Sequence, residues 1–120
     1  MKLPSPFVYY YYRNKSGWMG VVWSEKRGWC WCLQAPDRTT RRMSQYYPSK
    51  ARVLELMNES AVELSDKPCD LLVHSVYVYP TSPPIEIKPH QSKWKWKCGK
   101  ERGIEKSKGK ALEEAHKVLK

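Results

Sequence analysis

Residues 29–57 read WCWCLQAPDRTTRRMSQYYPSKARVLELM, and this stretch decides the fold. Alternate side chains of an extended chain share a face, so Trp29, Trp31 and Leu33 are predicted to lie on one side of a strand. After a polar turn, residues 41–47 can return as a second strand, and the Pro-Ser pair that follows is a typical helix start. The stretch therefore predicts a basic β-hairpin backed by a short amphipathic helix.

The same order of features recurs near the carboxyl terminus. Trp94 and Trp96 alternate within a lysine-rich segment, a charged turn follows, and Ser107 with Lys108 precedes apolar residues at helical spacing. This order indicates either a duplicated hairpin and helix or a chance recurrence of short motifs. We expect one compact domain over residues 1–120, with 7–61 and 70–120 as candidate sub-modules.

Turn residues between apolar runs predict the remaining elements of the first half. Residues 7–34 favour a three-stranded meander, because asparagine and glycine interrupt runs of aromatic and β-branched side chains. Residues 38–47 add a fourth strand, and a helix is predicted over residues 48–60. The side chains expected on the inner face of that helix are Ala51, Leu54, Met57 or Asn58, and Ala61.

The second half predicts further strands and a closing helix. A strand is expected over residues 71–79, and the prolines of residues 80–84 predict a loop because proline lacks an amide donor. Residues 85–88 favour a short edge strand and residues 93–98 a longer one. A helix over residues 107–119 should bury Ala111, Ala115 and Val118 or Leu119. The predicted fold class is α+β, an antiparallel sheet or sheets packed against two helices.

The charge of the chain favours a polyanionic partner. The 120 residues carry 22 basic and 12 acidic side chains, a formal net charge of +10. Residues 1–47 hold eight basic and two acidic side chains, and residues 93–120 hold ten and four. The positive charge therefore belongs to the two ends that carry the hairpins, and such an excess is typical of proteins that bind nucleic acid.

The sequence predicts neither a membrane segment nor a cofactor. No apolar run approaches the eighteen residues that a membrane span needs, and the start lacks the apolar core of a signal peptide, so we expect a cytoplasmic protein with no membrane partner. The four cysteines lack disulfide-framework spacing. A zinc site of Cys30, Cys32 and a ligand from Cys69, Cys98 or His74 is an alternative, but Cys-x-Cys is not the usual zinc knuckle. We favour buried thiols and predict no metal site.

Residues 20–54 resemble a known DNA-binding module. The similarity lies in Gly20-Val21, Trp29, Pro36, Arg41-Arg42 and Ser49. This pattern resembles the three-stranded sheet with one helix of plant ethylene-response factors and of the arm-binding domain of phage tyrosine integrases. The resemblance implies that the sheet contacts DNA and that Trp29 and Arg41 have contact roles. Val22 stands where that family often has a base-reading arginine, and Gln45 replaces a usual glycine.

A second resemblance spans more of the chain. RTTRRM at residues 38–43, CDLLVHS at 69–75 and SKWKWKCGKERG at 92–103 are similar, in order, to landmarks of ribonuclease H. That family holds two divalent metals with four acidic side chains, because metal-assisted cleavage depends on carboxylate oxygens. The corresponding positions here are Tyr12, Ser44, Ser75 and Lys110, so this resemblance implies a degenerate, noncatalytic member.

These patterns together predict a noncatalytic nucleic-acid-binding protein of phage or mobile-element type, with DNA or RNA as the partner. No nucleophile with a base partner and no glycine-rich phosphate loop is present, so no catalytic residue is predicted. The main alternative is a small protein-interaction module, for example a viral inhibitor whose basic face binds an acidic host protein. The residues predicted to contact nucleic acid are Trp29, Arg38, Arg41, Arg42, Lys93, Lys95 and Lys97.

Overall fold

A computed structural model describes residues 3–119 of the chain. The described chain forms two compact units, residues 9–74 (the amino-terminal unit) and residues 3–8 with 75–119 (the carboxyl-terminal unit). Eight strands and two helices form in the described residues, and all of the strand pairs described below are antiparallel. The predicted α+β class is therefore confirmed.

The amino-terminal unit is an antiparallel meander followed by a helix, as predicted. Its strands have the order β4-β3-β2-β1. The helix begins two residues after the predicted start and ends five residues beyond the predicted end, because a cap at Asp66 closes it. The elements are β1 (Phe7–Arg13), β2 (Met19–Glu25), β3 (Gly28–Gln34), β4 (Arg41–Met43) and α1 (Lys50–Ser65).

One face of this sheet packs on α1 and forms the core of the unit. Trp31 and Leu33 of β3 are buried and Trp29 packs against them, which confirms that these three side chains share a face and shows that this face points inward. The predicted inner face of α1 is confirmed at Met57 and Ala61, which are buried, but it was wrong at Ala51, which is exposed while Val53 is buried. Ser49 caps the helix by accepting a hydrogen bond from the backbone N–H of Arg52. From that start, i and i+4 spacing brings Val53, Met57 and Ala61 onto the sheet.

The carboxyl-terminal unit repeats this order of elements. Its strands have the order β5-β6-β7-β8. Residues 85–88, predicted as an edge strand, lie inside the order between β5 and β7, and the charged segment predicted as a turn contains an eighth strand. The elements are the end of β5 (Leu71–Tyr79), β6 (Ile85–His90), β7 (Lys93–Cys98), β8 (Glu101–Glu105) and α2 (Lys108–Lys117).

The eighth strand was missed because its sequence, ERGIE, has a composition that is unusual for strands. Its partner strand explains why it forms: Gly103 pairs with Trp96, and a Cβ atom at residue 103 would lie 2.5 Å from Trp96 Nε1. A glycine is therefore required for the strand to lie against the indole. Trp96, Ile85 and Ile87 then pack with Ala111 and Ala115 of α2 in the core of the unit.

Candidate nucleic-acid interface

The lysines of β7 lie on the sheet face opposite α2. The tryptophans of the strand, Trp94 and Trp96, belong to the helix-covered core. Because successive strand residues alternate between faces, Lys95 and Lys97 lie on the other face. In β6, Ile87 is buried in the core and Lys88 therefore joins the lysines. We call this face of the carboxyl-terminal unit the basic face.

Strand pairing brings cations of the basic face directly opposite one another. Lys88 of β6 pairs with Lys95 of β7, and Lys97 of β7 pairs with Arg102 of β8. These four side chains line an open groove of about 180 Å³ together with Glu86, which pairs with Lys97 from the other side. The groove therefore contains four cationic side chains and one carboxylate.

Like charges on directly opposite residues of neighbouring strands destabilise the sheet. Opposite residues on neighbouring strands have Cβ atoms about 5 Å apart, and like charges at that distance are destabilising. Among residues 3–119, none of the ion pairs with N–O distances up to 4.0 Å includes a cation of the basic face. The groove therefore has a net positive charge, with four cations against the single carboxylate of Glu86.

The other predicted contact residues are distributed over different surfaces. Lys93 is exposed at the start of β7, and Arg38 is exposed in the β3–β4 loop with a φ of 64°. Arg41 and Arg42 lie on opposite faces of the amino-terminal sheet, and Arg42 forms an ion pair of 3.3 Å with Glu63 of α1. Trp29 lies on the helix-covered face, where its ring stacks on Tyr10 with centroids 6.3 Å apart.

Lys88 and Arg102 were not among the predicted contact residues. Lys88 lay in a predicted edge strand, and Arg102 lay in a predicted turn. A two-residue turn of Gly99 and Lys100 joins β7 to β8, with Gly99 at a φ of 62°. Glycine beside a polar residue between two strand segments is a hairpin signal, and it could have placed Arg102 opposite Lys97.

All four cysteines are buried and free of disulfides, which confirms the prediction of buried thiols. Burial raises the pKa of Cys30 and of Cys69 to about 11, so both thiols are neutral near pH 7. Cys69 packs in the core with α1, whereas Cys30 and Cys32 lie on the opposite face of the sheet. Within residues 3–119, no three His, Cys, Asp or Glu side chains form a group that could hold a metal ion.

Comparison with protein-family models, with curated proteins and with solved structures finds no significant match. The two resemblances named above therefore stay predictions. Neither α1 nor α2, the helices in the described part of the chain, is long and apolar enough to cross a membrane.

Proposed function

We propose that this chain is a noncatalytic nucleic-acid-binding protein whose basic face contacts phosphates. The observation that carries the proposal is the two pairs of opposed like charges, Lys88 with Lys95 and Lys97 with Arg102. An arrangement that weakens the sheet by itself becomes favourable when an anion lies between the cations. The phage or mobile-element type follows from the resemblance of residues 20–54.

Phosphate groups suit this face for geometric reasons. Lys95 and Lys97 are two residues apart on one strand, a separation of about 7 Å, and neighbouring strands lie about 5 Å apart. The four cations thus form a compact array with spacings comparable to those between successive phosphates of a nucleic-acid strand. Replacement of counterions by such an array supplies most of the affinity of proteins that bind without reading the sequence.

An anisotropy titration with labelled DNA and RNA tests the proposal. At about 50 mM salt, a condition that favours phosphate contacts, the protein should bind, and each contact on a duplex should add about 0.9 to the slope of log affinity against log salt. Lys95→Glu should weaken binding and reduce that slope. The control is Arg52→Glu, which makes the same charge change at an exposed residue of α1 in the other unit. No binding by the parent protein would overturn the proposal.

The proposed absence of catalysis has a separate test. Incubation of the purified protein with Mg²⁺ or Mn²⁺ should leave DNA, RNA and RNA–DNA hybrids intact. The positions that the ribonuclease H resemblance assigns to metal-binding carboxylates are occupied by Tyr12, Ser44, Ser75 and Lys110. Cleavage that is lost on replacing a single Asp or Glu would contradict the proposal.

A second candidate function is binding of an acidic protein partner. Three consecutive apolar side chains at the start of β5 are exposed, namely Leu71 (65%), Leu72 (50%) and Val73 (41%). Exposed apolar runs of this kind are typical of protein-interaction surfaces. If the partner is a protein, unrelated DNA or RNA should not compete with it for the chain.

A further inference from the structure

We propose that the open sheet face of the amino-terminal unit stacks unpaired bases, so that the ligand is a single-stranded nucleic acid. This inference rests on the proposed function and names its substrate class. The open face is the side of the β1–β4 sheet opposite α1, because α1 packs on the face that carries Val22, Trp31 and Leu33. Alternation along the strands assigns the residues between these to the open face.

Residues that pair across neighbouring strands form rows on the open face. One row contains Tyr9, Trp23 and Cys30, and we call it the aromatic row. The row at the other end contains Arg13, Met19, Gln34 and Arg41, and we call it the arginine row. Tyr9 and Arg13 are four residues apart on β1, so the two rows are separated by about 13 Å.

The aromatic row presents two rings in contact with each other. The rings of Tyr9 and Trp23 stack with centroids 5.6 Å apart and an interplanar angle of 27°. Trp23 Nε1 donates a hydrogen bond of 2.8 Å to a carboxylate oxygen of Glu25, so the polar edge of the indole has a partner. Both rings are only half-buried. Stacking on such rings tolerates any base, because every base has a π face.

The arginine row presents positive charge that no carboxylate neutralises. Arg41 Nε donates to Cys32 Sγ at 3.3 Å, and Arg13 Nε donates to Met19 Sδ at 3.5 Å. These contacts to sulfur orient both side chains, which are exposed. In residues 3–119, neither guanidinium takes part in an ion pair. Both therefore remain able to bind phosphate oxygens.

The order of the two rows defines how a nucleic-acid strand would lie across the open face. Glu25, beyond the aromatic row, repels phosphate, and the arginine row attracts it. Bases therefore belong over Tyr9 and Trp23, with the sugar-phosphate backbone toward Arg13 and Arg41. A duplex cannot bind in this way because its base faces are stacked inside the helix. A peptide of acidic residues alone could satisfy the arginines, but it has no aromatic rings to stack on Tyr9 and Trp23.

The test compares three labelled ligands of equal length in anisotropy titrations: oligothymidylate, a fully abasic sugar-phosphate strand, and duplex DNA. Oligothymidylate should bind more tightly than either of the others. Loss of one base-stacking contact corresponds to a decrease in affinity of about 5- to 150-fold, and Trp23→Leu should lose that much for oligothymidylate alone. Trp23→Phe, which keeps a ring, should restore most of the affinity.

Controls separate stacking from misfolding and from the proposed function. The control is Val62→Ala, which removes part of an apolar side chain that is 46% exposed on α1, on the other side of the sheet from the open face. Thermal melts establish that each variant is folded. Equal binding of the abasic strand or the duplex, or equal competition by polyglutamate, would overturn this inference and leave phosphate binding intact. No binding of any nucleic acid by the parent protein would instead overturn the proposed function itself.

Discussion

Lys108 Nζ lies 3.4 Å from the centroid of the Tyr77 ring. The amino-terminal unit contains the same contact, since Lys50 Nζ lies 3.5 Å from the centroid of Tyr10. Each lysine is the first residue of its helix, directly after a capping serine, and each tyrosine lies on the first strand of its unit. The repeated contact joins the start of a helix to the sheet on which it packs.

A double-mutant cycle should measure this contact. Lys108→Met and Tyr77→Leu should each destabilise the protein, and the double variant should lose less than their sum, because a cation over a ring contributes about 0.5–1 kcal/mol. Urea unfolding of the four proteins supplies the coupling free energy. Lys110→Met is the control, since Lys110 forms ion pairs with glutamates on its own helix. Additivity within about 0.3 kcal/mol would show that the contact stabilises nothing.

Charge reversal on the basic face should change stability and binding in opposite directions. Lys88→Glu replaces a like-charge pair with an ion pair opposite Lys95, so the free energy of unfolding should rise by about 0.2–1 kcal/mol. The same variant should bind nucleic acid more weakly. Chemical denaturation and anisotropy on one preparation test both effects. If Lys88→Glu is less stable than the parent, the proposal that the opposed cations cost stability but favour binding is contradicted.

Trp31 and Trp23 should respond differently to truncation, because they lie on opposite faces of one sheet. Trp31 is 5% exposed, and Trp31→Ala should cost about 3–5 kcal/mol, a large share of the stability of a small domain. Trp31→Phe should cost less, since it also removes a buried indole N–H that has no partner among the described residues. Thermal melts compare these variants with Trp23→Leu. A Trp31→Ala melt equal to that of the parent would refute the packing assignment.

Two glycine substitutions should have opposite effects on stability. Gly109 lies in the first turn of α2 with nothing within 4 Å of an added Cβ, so Gly109→Ala should stabilise by about 0.5–1 kcal/mol. Gly20 lies under α1, where an added Cβ would be 2.6 Å from Met57 Sδ. Gly20→Ala should therefore destabilise the amino-terminal unit. Melting temperatures of both variants check the two signs, and a stabilised Gly20→Ala would contradict the close packing of β2 on α1.

Stability should fall as the pH rises from about 9 to about 11. Burial raises the pKa of Cys30 and Cys69 from 9.0 to about 11, and it also raises the pKa of Tyr12. Groups whose pKa is higher in the folded state stabilise it fully below the unfolded pKa, and this stabilisation is lost as the pH rises through the folded pKa. Urea midpoints across this range test the effect. Cys30→Ala should reduce the slope of the urea midpoint against pH. A midpoint of the parent protein that does not change with pH would contradict this expectation.

The sequence alone determined the features that depend on neighbouring residues. Alternation in residues 29–33 and 93–98 identified two strands and the side chains that share a face in each, and the Ser49 and Ser107 caps identified the helix starts. These signals are local, because alternation and capping act over a few residues. The excess of charge at the two ends also follows from composition.

Only the tertiary structure decided which charges lie together. Lys88 and Arg102 join Lys95 and Lys97 through strand pairing, and a one-residue shift in register would have moved either side chain to the opposite face. The same register puts Arg41 rather than Arg42 on the open face, and it places Trp23 there as well, away from Trp31. Register depends on hydrogen bonds between strands and on burial against a helix. It therefore cannot be derived from the sequence of a single strand.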